Sequence, residues 1–215
     1  MTTSVKICGL KTAAALEAAL AAGADFVGFV FYPPSPRNIA PEAAAELAKL
    51  VRGRAQIVAL LVDPDNNLLQ FVVRTVKPDL LQLHGSETPA RCREIRRTFG
   101  VAVMKAIKVE TAADAESALQ YAGAVNLILF DAKAPRDLSG ALPGGNGLAF
   151  DWRLLQSVRD KMGFMLSGGL TPDNVAAAIR ATGAGAVDVS SGVERTPGEK
   201  DAGLIAKFLA AVRAA

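Results

Sequence analysis

The chain has 215 residues, enough to bury one full core without disulfide or metal support. Hydrophobic residues make up 51% and charged residues 21%, ordinary globular values that exclude a disordered chain. The net charge is +3, and Lys and Arg are scattered rather than massed in a stripe with aromatics; this argues against nucleic-acid binding and leaves a mild preference for anionic small molecules.

The opening MTTSVKICGL holds a Lys inside its apolar stretch and lacks a signal-peptide core. No run approaches the roughly 18 apolar residues of a membrane span, so a soluble, cytoplasmic protein with no membrane partner is expected. Cys8 and Cys92 are in no CxxC or Cys/His spacing, and His84 is the only histidine, so neither a metal site nor a disulfide framework is expected.

Short runs rich in Val, Ile, Leu and Phe recur along the chain: SVKIC, DFVGFVF, QIVALLV, LLQLH, VAVMKAI, VNLILF, GFMLS and AVDVS. Each is nearly continuously apolar and bounded by turn residues, as strands buried on both faces of a parallel sheet are. Between them lie Ala- and Leu-rich segments with helical spacing, among them KTAAALEAALAAG, PEAAAELAKLV, TPARCREIRRTF, TAADAESALQYA and TPDNVAAAIRATG. Asp63-Pro64, Thr88-Pro89 and Thr171-Pro172-Asp173 read as helix starts, and Gly23 and Gly183 as stops. Eight strands alternating with helices predict one (βα)8 TIM barrel of the α/β class over residues 1–215. The open doubly wound alternative would carry GxGxxG after its first strand, and Cys8-Gly9-Leu10-Lys11 stands there instead.

Two repeats are oversized, through YPPSPRNIAP after the second strand and DAKAPRDLSGALPGGNGLAFD after the sixth. Every loop that follows a strand emerges on the catalytic face of such a barrel, so both point to an enzyme. Residues at the strand ends ring the same mouth: Cys8, Arg37, Gln82, His84, Asp131, Ser167, Asp188 and Ser190. Gly168-Gly169 lets the backbone approach a ligand, and Ser190-Ser191-Gly192 opens a possible one-turn helix, together a phosphate site. Cys8 is either a small buried hydrophobe or a base for a carbon-bound proton. Asp131, ending an apolar strand, is a costly carboxylate unless it is used, paired or protonated. Arg37 in a proline-stiffened loop suits a substrate carboxylate, or is a surface arginine. His84 either lines the pocket or bonds a backbone group. Lys6 and Lys105 fit an ion pair inside the barrel better than a Schiff base, and Cys92, amid a helix, reads as structural.

The segments KICGL, FVFYPPSPRNI, LLQLHG, LFDAK, GGNGLAFDW, LSGGLTPDNV and VDVSSGVE, in this order from residue 6 to about residue 201, resemble the phosphoribosylanthranilate isomerases. Asn146 in GGNG and Ala132-Lys133 after the acid depart from the commoner family residues, Thr and Ser. The resemblance implies an intramolecular aldose–ketose isomerase of tryptophan biosynthesis, performing an Amadori rearrangement of a small phosphorylated substrate with no cofactor. It implies that Asp131 is the general acid and Cys8 the general base. Arg37 would hold the anthranilate carboxylate, His84 would line the substrate site, and Gly168, Gly169, Ser190, Ser191 and Gly192 would take the phosphate. The chemistry needs an ionised thiol beside a protonated carboxyl, the reverse of their order in water. Two other barrel enzymes fit less well. An indoleglycerol-phosphate synthase would need Lys and Glu at strand ends, and a pentose-phosphate epimerase several metal-binding His. A catalytically dead sensor barrel would not need both Cys8 and Asp131. Monomer and homodimer both stay open.

Overall fold

The structure, a computed structural model, describes residues 2–133, 142 and 144–215. In chain order the elements are β1 (Ser4–Cys8), α1 (Ala13–Ala22), β2 (Phe26–Phe31), α2 (Pro41–Val51), β3 (Gln56–Leu61), α3 (Asn66–Val76), β4 (Leu80–Leu83) and α4 (Pro89–Phe99). Then follow β5 (Ala102–Val109), α5 (Ala112–Ser117), β6 (Leu127–Ala132), β7 (Phe164–Leu166), α6 (Val175–Thr182) and β8 (Ala186–Val189). A small hairpin, β9 (Glu194–Thr196) and β10 (Glu199–Lys200), precedes α7 (Ala202–Arg213). Strands β1 to β8 close into a barrel of parallel neighbours, with β8 returning to β1. No helix among the described residues is long and apolar enough to cross a membrane.

All eight apolar runs are barrel strands, because a strand covered by helices outside and side chains inside buries both of its faces. The helix after β6 is the exception to the alternation: among the described residues its place holds a 3-10 turn, Trp152–Leu155, started by the Asp151 carboxylate accepting from Arg153 N. Residues 134–141 and 143 of the long loop before it lie outside the described residues.

Helix ends follow side-chain chemistry. Thr88 Oγ1 accepts from Arg91 N at 3.2 Å, with Pro89 at the first helical position. Gly23 and Gly183 end their helices in the left-handed conformation, at φ 87° and 69°. Two expected starts are displaced. Asp65, not Asp63, caps α3, its Oδ1 accepting from Leu68 N at 2.8 Å. Asp63 instead accepts from Ser86 N at 2.7 Å, tying the loop after β3 to the loop after β4. Thr171-Pro172-Asp173 forms a turn closed by Asn174, whose Oδ1 accepts from Thr171 N while its Nδ2 donates to Gly169 O, so α6 begins only at Val175.

Strand alternation divides the interior into two environments. One parity faces the helices and forms the main core, including Ile7, Phe29, Leu81, Phe130 and Val187. The other fills the barrel, where Val58, Leu80, Met104, Ala106, Leu129 and Met165 make an apolar plug. Lys6 and Asp188 share this inward parity; Lys105 does not. Lys105 faces outward with Val103 and Ile107 and pairs with Glu87 at 3.0 Å, so its expected ion pair lies outside the barrel wall.

Candidate active site

A cavity opens at the C-terminal mouth, lined by Cys8, Arg37, His84, Asp131, Gly168, Gly169, Ser190 and Ser191. The fold thus brings together residues spread over most of the chain, because each ends a strand or begins the loop after one.

Cys8 ends β1. Gly9 follows at φ 80°, a turn that favours glycine, and it also makes room: a Cβ there would lie 2.7 Å from Arg37 Cδ. Arg37 therefore lies across the end of β1. Its own loop is folded back, with Arg37 N donating to Ser35 Oγ and Ile39 N to Val30 O. It is no surface arginine, being 4% exposed. Its fork, however, is already engaged: Nε and Nη2 each donate to Glu194 at 2.8 Å, and Nη2 also reaches Gly145 O. Among the described residues Nη1 meets no acceptor, and it is the end left to meet a ligand carboxylate.

Glu194 on β9 had no assigned role in the sequence, although it closes the motif VDVSSGVE. Lys200 on β10 is its second partner, at 2.6 Å, and donates also to Ser190 O and Oγ. Burial alone would push the Glu194 carboxyl up; hydrogen bonds and charge from Arg37 and Lys200 outweigh it and hold it below the ordinary value of 4.5. Burial pushes the Lys200 ammonium down, against the opposing pull of Glu194. No local sequence pattern joins Glu194 to Arg37, which is 157 residues away.

Asp131 and His84 face each other, His84 Nε2 lying 3.1 Å from Asp131 Oδ2, and Gln82 Nε2 lies 3.0 Å from His84 Nδ1. His84 thus bonds side chains, not a backbone group, while lining the cavity. The chain Gln82–His84–Asp131 admits two proton arrangements, since neither hydrogens nor amide orientation are fixed by heavy atoms. With Nε2 protonated, His84 donates to an Asp131 carboxylate. With Nδ1 protonated toward Gln82 Oε1, Nε2 accepts from an Asp131 carboxylic acid; among the described residues Oε1 is otherwise a buried acceptor without a partner. Gly144 covers this pair, and a Cβ there would sit 2.6 Å from both Asp131 Oδ2 and His84 Nε2.

The glycine loops form as expected. Gly168 and Gly169 have φ of 87° and 61°, and Ser191–Val193 is a one-turn 3-10 helix entered from Ser190. Gly192 packs so closely under the turn after β7 that a Cβ would meet Leu170 O at 1.9 Å. Among the described residues the N–H groups of Gly168, Gly169, Ser191 and Gly192 donate to no internal acceptor. Free amides in glycine loops at the edge of a cavity are able to hold an anion. Of the two departures from the family pattern, Asn146 pins its loop by accepting from Leu142 N and donating to Leu142 O, and Lys133 pairs with Glu110 at 2.9 Å. No cluster among the described residues is arranged to hold a metal ion.

A closed parallel barrel with a thiol, an acid and free loop amides at its C-terminal mouth belongs to the (βα)8-barrel enzymes. Comparison with known proteins narrows the class. The family model described as N-(5'phosphoribosyl)anthranilate (PRA) isomerase matches residues 5–211. The N-(5'-phosphoribosyl)anthranilate isomerase of Nitrobacter hamburgensis is 56% identical, over 100% of this chain and 95% of its own. The phosphoribosyl anthranilate isomerase structure from Thermotoga maritima covers 100% of both chains at 37% identity and a TM-score of 0.89. A structure of such an isomerase in complex with reduced 1-(o-carboxyphenylamino)-1-deoxyribulose 5-phosphate covers 100% of both at 35% identity and a TM-score of 0.86. The chain belongs to the N-(5'-phosphoribosyl)anthranilate isomerase family.

Proposed function

We propose that this chain performs the Amadori rearrangement of N-(5'-phosphoribosyl)anthranilate to 1-(2-carboxyphenylamino)-1-deoxyribulose 5-phosphate, in tryptophan biosynthesis, by general acid–base catalysis. The observation that carries the residue roles is one cavity holding Cys8, Asp131, the free end of Arg37 and the amide cradle together. Two anionic handles fix the substrate across the mouth, the phosphate on Gly168, Gly169, Ser191 and Gly192 and the anthranilate carboxylate on Arg37 Nη1. The sugar then spans the space between the thiol and the acid.

Asp131, as the carboxylic acid of the second hydrogen-bond arrangement, protonates the ribose ring oxygen. The C1–O bond breaks and a protonated imine forms. Cys8, as thiolate, removes the C2 proton, and the C2–H electron pair becomes the carbon–carbon double bond of an enolamine. Tautomerisation to the ketone follows, C1 gaining a proton and the C2 hydroxyl losing one. Burial pushes the Cys8 thiol above its ordinary value, with Lys6 opposing, so kcat/KM should climb with pH as the thiolate forms.

The test is the loss of fluorescence of freshly made phosphoribosylanthranilate with and without the protein. No acceleration would refute the function. Cys8→Ser keeps size and hydrogen bonding but lacks an accessible anion, so it should lose about 10²–10⁴-fold in kcat. Wild-type kcat in that variant would remove Cys8 as the base.

A further inference from the structure

The Cys8 thiol stands over a lysine that the chemistry above does not use. Lys6, two residues earlier on the same face of β1, is fully buried, with Nζ 3.0 Å from Asp188 Oδ1. Asp188 Oδ2 in turn accepts from Ser167 Oγ. The Lys6 head and the Cys8 thiol also lie side by side, both against the backbone of Gly28. Space for this contact comes from Gly28, the register partner of Cys8 on β2: a Cβ there would lie 3.0 Å from Cys8 Sγ and 3.2 Å from Lys6 Nζ. A buried ion pair is a weak source of stability, since apolar residues of similar volume often replace one at no loss. Val58, Leu80, Met104, Ala106, Leu129 and Met165, of the same inward parity, fill their part of the barrel with apolar side chains alone.

We propose that Lys6 is a positioning residue for the isomerisation: its ammonium, clamped by Asp188, supplies the positive charge against which the Cys8 thiolate forms. This rests on Cys8 being the base. Among the described residues the charged groups acting on Cys8 are Lys6 on β1, Asp188 on β8 and Lys200 on β10; the facing residue of β2 is uncharged Gly28. Burial pushes the thiol up, Lys6 is the strongest group opposing it, Asp188 pushes it further up, and Lys200 opposes weakly. Burial also weighs against the Lys6 charge, yet Asp188 and Cys8 outweigh it and keep Lys6 an ammonium. Asp188 therefore both favours the Lys6 charge and limits how far that charge favours the thiolate; because Cys8 too favours the ammonium, the second effect decides the sign when Asp188 is made neutral.

The test titrates Cys8 directly, in the full chain carrying Cys92→Ala so that one thiol remains. The readouts are the rate of iodoacetamide alkylation against pH, the thiolate's ultraviolet absorbance, and the pH profile of kcat/KM. Lys6→Met should slow alkylation at a fixed pH near neutrality by about tenfold or more, since one pKa unit is tenfold in thiolate fraction. Its kcat/KM limb should move to higher pH by the same interval. Asp188→Asn should move the titration the opposite way. A merely structural pair would lower the melting temperature of both variants without moving the thiol in opposite senses. If Lys6→Met fails to fold, the double variant Lys6→Met, Asp188→Asn leaves no orphaned charge, and its titration against Asp188→Asn alone isolates the lysine. An unmoved thiol titration on removing Lys6, or shifts of the same sign in Lys6→Met and Asp188→Asn, would overturn the proposal. A moved titration with an unmoved kcat/KM limb overturns the role in the reaction; an active Cys8→Ser would trace that failure to the base assignment.

Discussion

Arg37→Ala is the perturbation whose size follows most directly from the geometry. Of the guanidinium nitrogens, Nε and Nη2 are spent on Glu194 and Gly145 O, so among the described residues only Nη1 is left for a substrate carboxylate. A charge-assisted hydrogen bond is worth about 1.5–3 kcal/mol, which converts to about 10- to 150-fold in KM at 1.4 kcal/mol per tenfold. Arg37 touches no reacting bond in the proposed mechanism, so kcat should change by less than about threefold. Stability should fall as well, because Glu194 loses two buried hydrogen bonds. Lys200 stays 2.6 Å away, so the loss should remain below the roughly 3–5 kcal/mol of a fully orphaned buried charge. Arg37→Lys should neutralise Glu194 and recover part of the stability, yet keep most of the KM defect, since an ammonium cannot serve the fork and the ligand together. Steady-state kinetics with the fluorescent substrate, alongside thermal unfolding, separates the two effects. A wild-type KM in a folded Arg37→Ala protein would refute the binding role and leave Arg37 as a strut for β9. An equal fall in kcat and kcat/KM would instead place it in the transition state.

Asp131→Asn should lose about 10²–10⁴-fold in kcat with the fold intact, and combining it with Cys8→Ala should cost less than the product of the singles, as both act on one reaction; fully multiplicative losses would contradict the coupled pair. Inorganic phosphate should inhibit competitively, and Gly169→Ala should weaken that inhibition. The new Cβ would lie 2.5 Å from Ala149 N at a φ of 61°, so undiminished inhibition would place the anion elsewhere. Glu194 titrates below its unfolded value, so its contribution to stability is present above the ordinary value of 4.5 and lost as pH falls through the lower folded value. The gap in melting temperature between wild type and Glu194→Gln should therefore close as pH drops from neutral to below about 4; a constant gap would mean the Arg37–Glu194–Lys200 cluster does not act through charge.

The amino-acid order by itself determined the barrel. Eight runs such as QIVALL and LILFDA are apolar on both faces, and only a parallel sheet covered on both sides buries them, while Thr88-Pro89 and Gly23 mark helix ends through one side chain or one backbone conformation. Strand ends are legible for the same local reason, which is why the sequence alone sets Cys8, His84, Asp131 and the glycines after β7 and β8 at one mouth. Where two local signals competed, as with Asp63 and Asp65, the pattern could not choose; the carboxylate within reach of Leu68 N became the cap, and the other was drawn to Ser86. Partners distant along the chain were decided only by closure of the barrel. Glu194 meets Arg37 and Asp188 meets Lys6 because β8 returns to β1, a contact over 182 residues in the second case that no spacing rule encodes. Whether an inward lysine is neutralised, and whether an arginine's fork is free, depends on which charges that closure brings within about 3 Å in a low-dielectric interior. The identity of the reactive groups is thus local in origin, and their charge states and remaining donors are tertiary.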